Sequence, residues 1–427
     1  MTRTASADGA LRLDALGDER PGRFAKSVPA ITGTVGEWLA AAPRLSSLAT
    51  PVLTLDRAAL VANAERMAGW CAAHGVELAP HGKTTMAPAL WELQLRTGAR
   101  GVTVATGWQA AVAVEFGVRW IQLANALVDP RALRELAVAR DADPGLEVVS
   151  WADSVETVAA MEAGVGDPVR PLTVLVELGA PGGRTGARSV AEAERVAAAV
   201  VASPVLRLGG VGGYEGALAH DPEPGSLARV RAYLDDLAEL HRRVRPGYET
   251  EEVVVTAGGS AYFDQVAAAL AGLADDRTRV VLRSGAYLVH DDGFYRGISP
   301  LTREEGEPFR SAMHAWARVV STPEPGLALL DAGKRDVPFD EGLPEPQLLA
   351  DDLGEPARPL AGTVTAVNDQ HAFLRTDSPV RVGQVVRLGL SHPCTAFDKW
   401  RWIPLLDGSA GTDDPDPRVA DLVRTFF

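Results

Sequence analysis

Two regimes of hydrophobic patterning divide the chain. Short apolar runs recur at 76–79, 101–105, 120–124, 146–150, 172–177, 206–210, 253–256 and 280–283, and alanine-rich stretches with helical spacing separate most of them. The runs are apolar nearly throughout, which suits strands covered on both faces. Strand–helix alternation repeated over this length predicts a parallel (β/α)8 barrel. A doubly wound sheet is the alternative, but no Gly-x-Gly-x-x-Gly turn follows an early strand. Before these runs, Thr50-Pro51-Val52-Leu53-Thr54-Leu55-Asp56 reads as a strand whose Asp56 caps a helix running to about residue 73.

Near residue 310 the pattern changes. Segments 313–320, 327–330, 362–367, 372–375 and 384–390 read as strands joined by turns rich in Pro, Gly and Asp, an all-β domain. Segment 336–358, rich in Pro, Glu, Leu and Asp, reads as a long exposed loop. The expected organisation is an N-terminal extension over 1–50, with a loose start and a short helix over 36–42. A barrel domain over 51–308 and a β domain over 309–427 follow, and strand 51–56 is able to pair with the β domain.

Composition narrows the function classes. The chain has 427 residues, 46% of them hydrophobic, and a formal charge of −14. A net negative surface disfavours nucleic acid and anionic membrane as partners. No stretch is apolar for long enough to span a bilayer, and the expectation is a cytoplasmic protein acting on a small molecule. The two cysteines, Cys71 and Cys394, make no disulfide framework. Cys71 falls in a helical pattern and reads as core.

Candidate chemistry concentrates at strand ends, where parallel barrels carry their active residues. His81-Gly82-Lys83-Thr84 ends the second apolar stretch. Only four lysines occur among 42 Lys and Arg residues, so each needs a reason. A primary amine at a barrel mouth can form a Schiff base; a surface lysine opening a helix is the plainer option. Thr256-Ala257-Gly258-Gly259-Ser260 follows a late strand, and its glycines allow backbone N–H groups to approach a phosphate; a plain glycine turn has the same residues. Arg184, in Gly183-Arg184-Thr185-Gly186, is either a ligand contact or a surface arginine. A strand-end lysine with a late phosphate loop describes a pyridoxal-phosphate site. In the β domain, Ser391-His392-Pro393-Cys394 places an imidazole and a thiol on one side of an extended chain. Such a pair suits zinc, or is a buried His and a buried Cys with no metal.

Taken together, these residues resemble the D-serine dehydratase and D-threonine aldolase group of pyridoxal-phosphate enzymes, over nearly the whole chain from about Thr50 to Trp402. The resemblance implies the alanine-racemase-like fold (type III), an N-terminal (β/α)8 barrel with a C-terminal β domain. It implies that Lys83, in Pro80-His81-Gly82-Lys83-Thr84, carries the cofactor, with His81 beside it. It further implies that Arg184 faces the pyridine nitrogen and that Tyr214, in Tyr214-Glu215-Gly216, lines the pocket. Thr256, Gly258, Gly259 and Ser260 then bind the phosphate, and Tyr287 joins the cofactor-binding residues. Asp369-Gln370-His371 and Ser391-His392-Pro393-Cys394 match the two C-terminal signatures, the second being similar to the zinc pair of the dehydratases. A homodimer follows by the same likeness. The implied reaction is elimination of the β-hydroxyl from a D-amino acid such as D-serine, giving a 2-oxo acid and ammonia. Retro-aldol cleavage, racemisation and non-catalytic cofactor carriage are the alternatives. One departure stands out: Thr85 follows Lys83-Thr84 where many members have histidine, a feature of a bacterial subgroup broadly described as amino-acid deaminases.

Overall fold

A computed structural model describes residues 10–29, 31–303, 306–408 and 414–427. The loose start expected of the chain concerns residues of which 1–9 lie outside the described ones. The chain divides into two compact units: one holds Met67–Lys83 and Gln94–Gly285, the other Leu13–Arg66, Thr84–Leu93 and Ala286–Phe427.

The first unit is built on eight parallel strands: β2 (Glu77–Leu78), β3 (Val102–Val104), β4 (Trp120–Ala126), β5 (Glu147–Ala152), β6 (Leu172–Leu178), β7 (Leu206–Gly213), β8 (Val253–Ala257) and β9 (Thr278–Leu282). Their order is β2-β9-β8-β7-β6-β5-β4-β3, and a parallel bridge between His81 and Thr103 joins the two ends. The expected barrel is therefore present. β1 (Val52–Asp56) precedes it in the chain but belongs to the other unit. Inside the barrel Ala79, Val149, Trp151, Leu175, Val254 and Val281 form one apolar cluster. Helices start where the side chains supply caps: Thr106 accepts from the Gln109 N–H, Ser154 from Thr157 and Ser189 from Glu192. Thr106 and Ser154 lie two residues after β3 and β5, so the turn that ends each strand also starts the helix, whereas Ser189 follows the longer loop 179–188.

The second unit carries β10 (Met313–Glu324), β11 (Leu327–Leu330), β12 (Glu345–Ala350), β13 (Arg358–Pro359), β14 (Thr363–Val367), β15 (Ala372–Arg375), β16 (Val385–Gly389), β17 (Trp402–Leu406) and β18 (Val419–Arg424). The main path runs β13-β12-β16-β10-β1-β17-β18. β1 is central in it, antiparallel to β10 and parallel to β17, and every one of its residues is buried. Asp56 at its end accepts the Ala59 N–H at 3.0 Å and starts the helix Arg57–Ala73, as expected. The N-terminal segment also packs here: Ala25, Val28, Ile31, Val35, Leu45 and Leu48 share a cluster with Trp316, Trp402 and Leu422. Its helix, Val35–Ala40, opens with a capping box between Thr34 and Glu37.

One expectation is corrected. Segment 336–358 is not one long exposed loop: Glu345–Ala350 is β12, paired with β16, and its last three residues are buried. The alternation needed for a half-buried strand is masked there by Glu345 and Pro346. Two strands, β17 and β18, were not expected at all.

Candidate active site

Burial and charge together mark the mouth of the barrel unit. His81 follows β2, and its backbone N–H donates to the Arg283 carbonyl at 3.1 Å. Burial, then the nearby charges of Lys83, Arg283 and Arg184, hold its imidazole well below the usual histidine range. The ring is therefore neutral, and three cations surround it in a protein of net charge −14. Lys83 sits in a short 3-10 turn, Gly82–Thr84, directly after the strand.

Arg184 lies exposed in its loop, with its guanidinium carbon 5.0 Å from the centre of the Tyr214 ring. The buried arginine is a different one. Arg283 is 3% exposed; it donates to Thr256 Oγ1 at 2.8 Å and to the Gly213 carbonyl at 2.6 Å, and stacks 4.8 Å over Trp151. Arg283 was not singled out from the sequence. The available signal was a charge closing the apolar run of β9.

The loop after β8 holds an anion from its own unit. Glu215 is 0% exposed, and its carboxylate accepts the Gly258 N–H at 2.9 Å and the Gly259 N–H at 2.7 Å. Gly258 has φ +102°, a backbone only glycine adopts without strain. The two glycine N–H groups are thus taken by the Glu215 carboxylate. The Thr256 hydroxyl donates to the Val281 carbonyl at 2.8 Å. Ser260 completes the loop, and the Ser284 hydroxyl donates to the Gly259 carbonyl at 2.9 Å. Tyr287 belongs to the second unit, where it is 1% exposed against Phe309.

Several polar atoms inside this unit are buried without a partner among the described residues: His81 Nδ1, Gln122 Oε1, Trp151 Nε1 and Glu177 Oε2. Burial, and secondarily the Asp153 carboxylate, raise the Glu177 carboxyl above its ordinary range. Orphaned buried groups carry a large desolvation cost. Together with the cations near His81, they fit a polar, anionic molecule such as pyridoxal phosphate.

The β unit carries the second constellation. His392 Nδ1 lies 2.6 Å from Asp340 Oδ2, and the ring also hydrogen-bonds Cys394. The Thr395 hydroxyl donates to the other Asp340 oxygen at 2.6 Å. Burial lowers the His392 imidazole, but Cys394 and Asp340 outweigh it and hold it up at about 9. Cys394 Sγ is 3.6 Å from Oγ1 of Thr84, the residue that follows Lys83. Among the described residues no three His, Cys, Asp or Glu gather as a metal cluster. The donor set is a pair, with a carboxylate fixing the tautomer of its histidine, an arrangement that fits zinc with open positions. Cys71, by contrast, is buried and its thiol is pushed up to about 12, as a core residue requires.

No helix among the described residues is long and apolar enough to cross a membrane.

Comparison with known proteins agrees with the two-part fold. The family described as "Alanine racemase, N-terminal domain" matches residues 55–289, and "Putative serine dehydratase domain" matches residues 312–406. The chain is 27% identical to the D-threonine aldolase of an Arthrobacter species over 360 residues, 83% of this chain and 88% of that one. It is 27% identical to the 3-hydroxy-D-aspartate aldolase of Paracoccus denitrificans over 304 residues, 70% of this chain and 76% of that one. Among solved structures, the D-threonine aldolase of Filomicrobium marinum superposes with a TM-score of 0.73 at 26% identity, covering 89% of this chain and 97% of its own. The D-threo-3-hydroxyaspartate dehydratase of Delftia sp. HT23 shares the fold, with a TM-score of 0.69 at 23% identity and coverage of 90% and 99%. The chain belongs to the alanine racemase N-terminal domain family, in the group of the D-serine dehydratases and D-threonine aldolases.

Proposed function

We propose that the chain is a pyridoxal-phosphate- and zinc-dependent lyase that removes the β-hydroxyl of a β-hydroxy-D-amino acid, giving a 2-oxo acid and ammonia. The observation that carries this reading is the His392–Cys394 pair with Asp340 on the ring nitrogen, in a chain whose barrel unit has a lysine at a strand end. The named relatives act on β-hydroxy amino acids as aldolases or dehydratases, which supports the substrate class.

Pyridoxal phosphate supplies an aldehyde for amines and an electron-withdrawing ring. Zinc supplies a Lewis acid for a hydroxyl oxygen. Lys83 holds the first group, and its amine, once free, takes the Cα proton of the substrate. His81 stays neutral under burial and its cationic neighbours, so it competes for no proton. Arg184 and Tyr214, stacked on each other in the barrel unit, would border the ring. The loop from Thr256 through Gly258, Gly259 and Ser260 would take the phosphate in place of the Glu215 carboxylate, which otherwise accepts the Gly258 and Gly259 N–H groups. His392 and Cys394 would hold the metal, with Asp340 on Nδ1 leaving Nε2 of His392 as the nitrogen that would face it.

Retro-aldol cleavage is the second reading, favoured by the aldolase relatives at 27% identity. It breaks Cα–Cβ and needs the β-hydroxyl deprotonated rather than expelled. Cys394 weighs against it, because the aldolases of the resembling group more often carry aspartate at that position. Incubating the protein loaded with cofactor and zinc with D-threonine separates the two. 2-Oxobutanoate with ammonia is the expected product pair; glycine with acetaldehyde makes the chain an aldolase.

A further inference from the structure

We infer that Asp291 is a positioning residue for the metal pair, clamping the backbone of His392 in the conformation that sets its ring beside Cys394. This inference rests on the proposed metal-binding role of that pair.

His392 has φ +58°, the left-handed region that a non-glycine residue adopts only at an energetic cost. Such a backbone persists only where its surroundings fix it. Asp291 is 1% exposed, and its Oδ2 accepts the His392 N–H at 2.9 Å. Its Oδ1 accepts the N–H groups of Gly293 at 3.0 Å, Tyr295 at 2.9 Å and Arg296 at 3.3 Å. One carboxylate therefore ties the turn after residue 291 to residue 392. The neighbours on both sides are stitched in the same way. The Asp292 N–H donates to the Leu390 carbonyl at 2.8 Å, the Phe294 N–H to Ser391 Oγ at 3.1 Å, and the Ser391 hydroxyl to the Glu341 carbonyl at 2.5 Å.

Two carboxylates thus divide the work on one histidine. Asp340 orients the ring through Nδ1, and Asp291 fixes the main chain from which the ring projects. A metal requires its ligand atoms in place to within about 0.2 Å. With a two-residue donor set among the described residues, the pair alone must place the ring. Replacing Asp291 by Asn leaves one acceptor oxygen where two are used, so either His392 or the 293–296 turn loses its partner.

The test is a Co2+ titration of the metal-depleted, cofactor-loaded protein in competition with a chelator, read by the cobalt–thiolate absorption. The wild type should show the band and Cys394→Ala should lack it. Asp291→Asn should bind Co2+ about 10- to 100-fold more weakly, with the cofactor absorption close to that of the wild type. Equal affinity in Asp291→Asn overturns the inference and leaves the metal site standing. A wild type with no thiolate band overturns the metal reading and the inference with it. Should Asp291→Asn not fold, hydrogen exchange of the wild type decides: the metal-depleted protein should protect the peptide around His392, and rapid exchange there overturns the clamp.

Discussion

The barrel unit and the β unit hold their candidate chemistry by different means. In the barrel, reactive groups stand on strand ends and glycine turns, and much of the environment is backbone: Gly258 and Gly259 donate through N–H, Gly213 accepts through C=O. In the β unit, His392 and Cys394 stand off the regular strands, and side-chain carboxylates position them: Asp340 on the ring and Asp291 on the main chain. Repetition gives the barrel its site almost automatically, because every strand delivers its end to the same face. The β unit must assemble its site from residues 291, 340, 392 and 394. A barrel site should therefore tolerate conservative changes around it better than the β site does.

The strongest test of that division removes one reactive group from each unit. Lys83→Ala should lower turnover by about 10²- to 10⁴-fold, the range for one acid–base group, and abolish the absorption of the lysine-bound cofactor. Its metal content should stay unchanged; a retained band puts the cofactor on another amine. Cys394→Ala should do the converse, weakening metal binding by more than ~100-fold, since a ligand matters more than the outer partners that cost 10–100-fold. Cofactor absorption should survive, and loss of both signals would erase the contrast between the units.

Core truncations come next. Leu53→Ala in β1 and Leu175→Ala in β6 both empty fully buried positions and should each cost ~2–5 kcal/mol. Calorimetry should show the first lowering the unfolding of the β unit and the second that of the barrel. A single shared shift in both variants would mean that the two unfold together. Glu215→Gln leaves one acceptor oxygen for two glycine N–H groups and removes a negative charge from the loop, and should tighten pyridoxal-phosphate binding about tenfold, one charge-assisted hydrogen bond. Weaker binding instead would mean that the Glu215 carboxylate shapes the loop rather than competing with the phosphate.

Acid should give the smallest effect. Burial holds His241 at about 4 in the barrel unit, and His290 at about 4 and His314 at about 3 in the β unit. Unfolded histidine titrates near 6.5. Between 6.5 and these lower values the unfolded chain binds more protons, so stability is fully present above about 6.5 and declines as pH falls. Thermal unfolding at pH 7 and pH 5 should show a drop at the lower pH in both units, since burial holds His81 of the barrel unit down as well. An unchanged midpoint would mean that these rings protonate inside the fold.

Much of this was legible in the chain itself. The eight apolar runs named from their pattern fall on β2 through β9, because strands buried on both faces have an unambiguous composition. The strand ends then pointed to His81, Lys83 and the loop at Thr256–Ser260. The β unit was less legible. β12 opens with Glu345 and Pro346 and so has the pattern of a loop, and no alternation in the sequence marks β17 or β18. Arg283, Glu215 and Asp291 were not assigned roles either, although each is buried and holds other groups in place. A charged residue looks the same in a sequence whether it meets solvent or four backbone N–H groups.

The sequence by itself determined the periodic barrel and the residue types of both candidate sites, since hydrophobic period and strand ends are local properties. Tertiary structure alone decided which charges are buried, that Glu215 rests on the glycine loop, and that β1 lies between β10 and β17. It also decided that Asp291 and Asp340 converge on His392 from positions 101 and 52 residues away. Those are consequences of chain pairing over long separations, which no local pattern encodes.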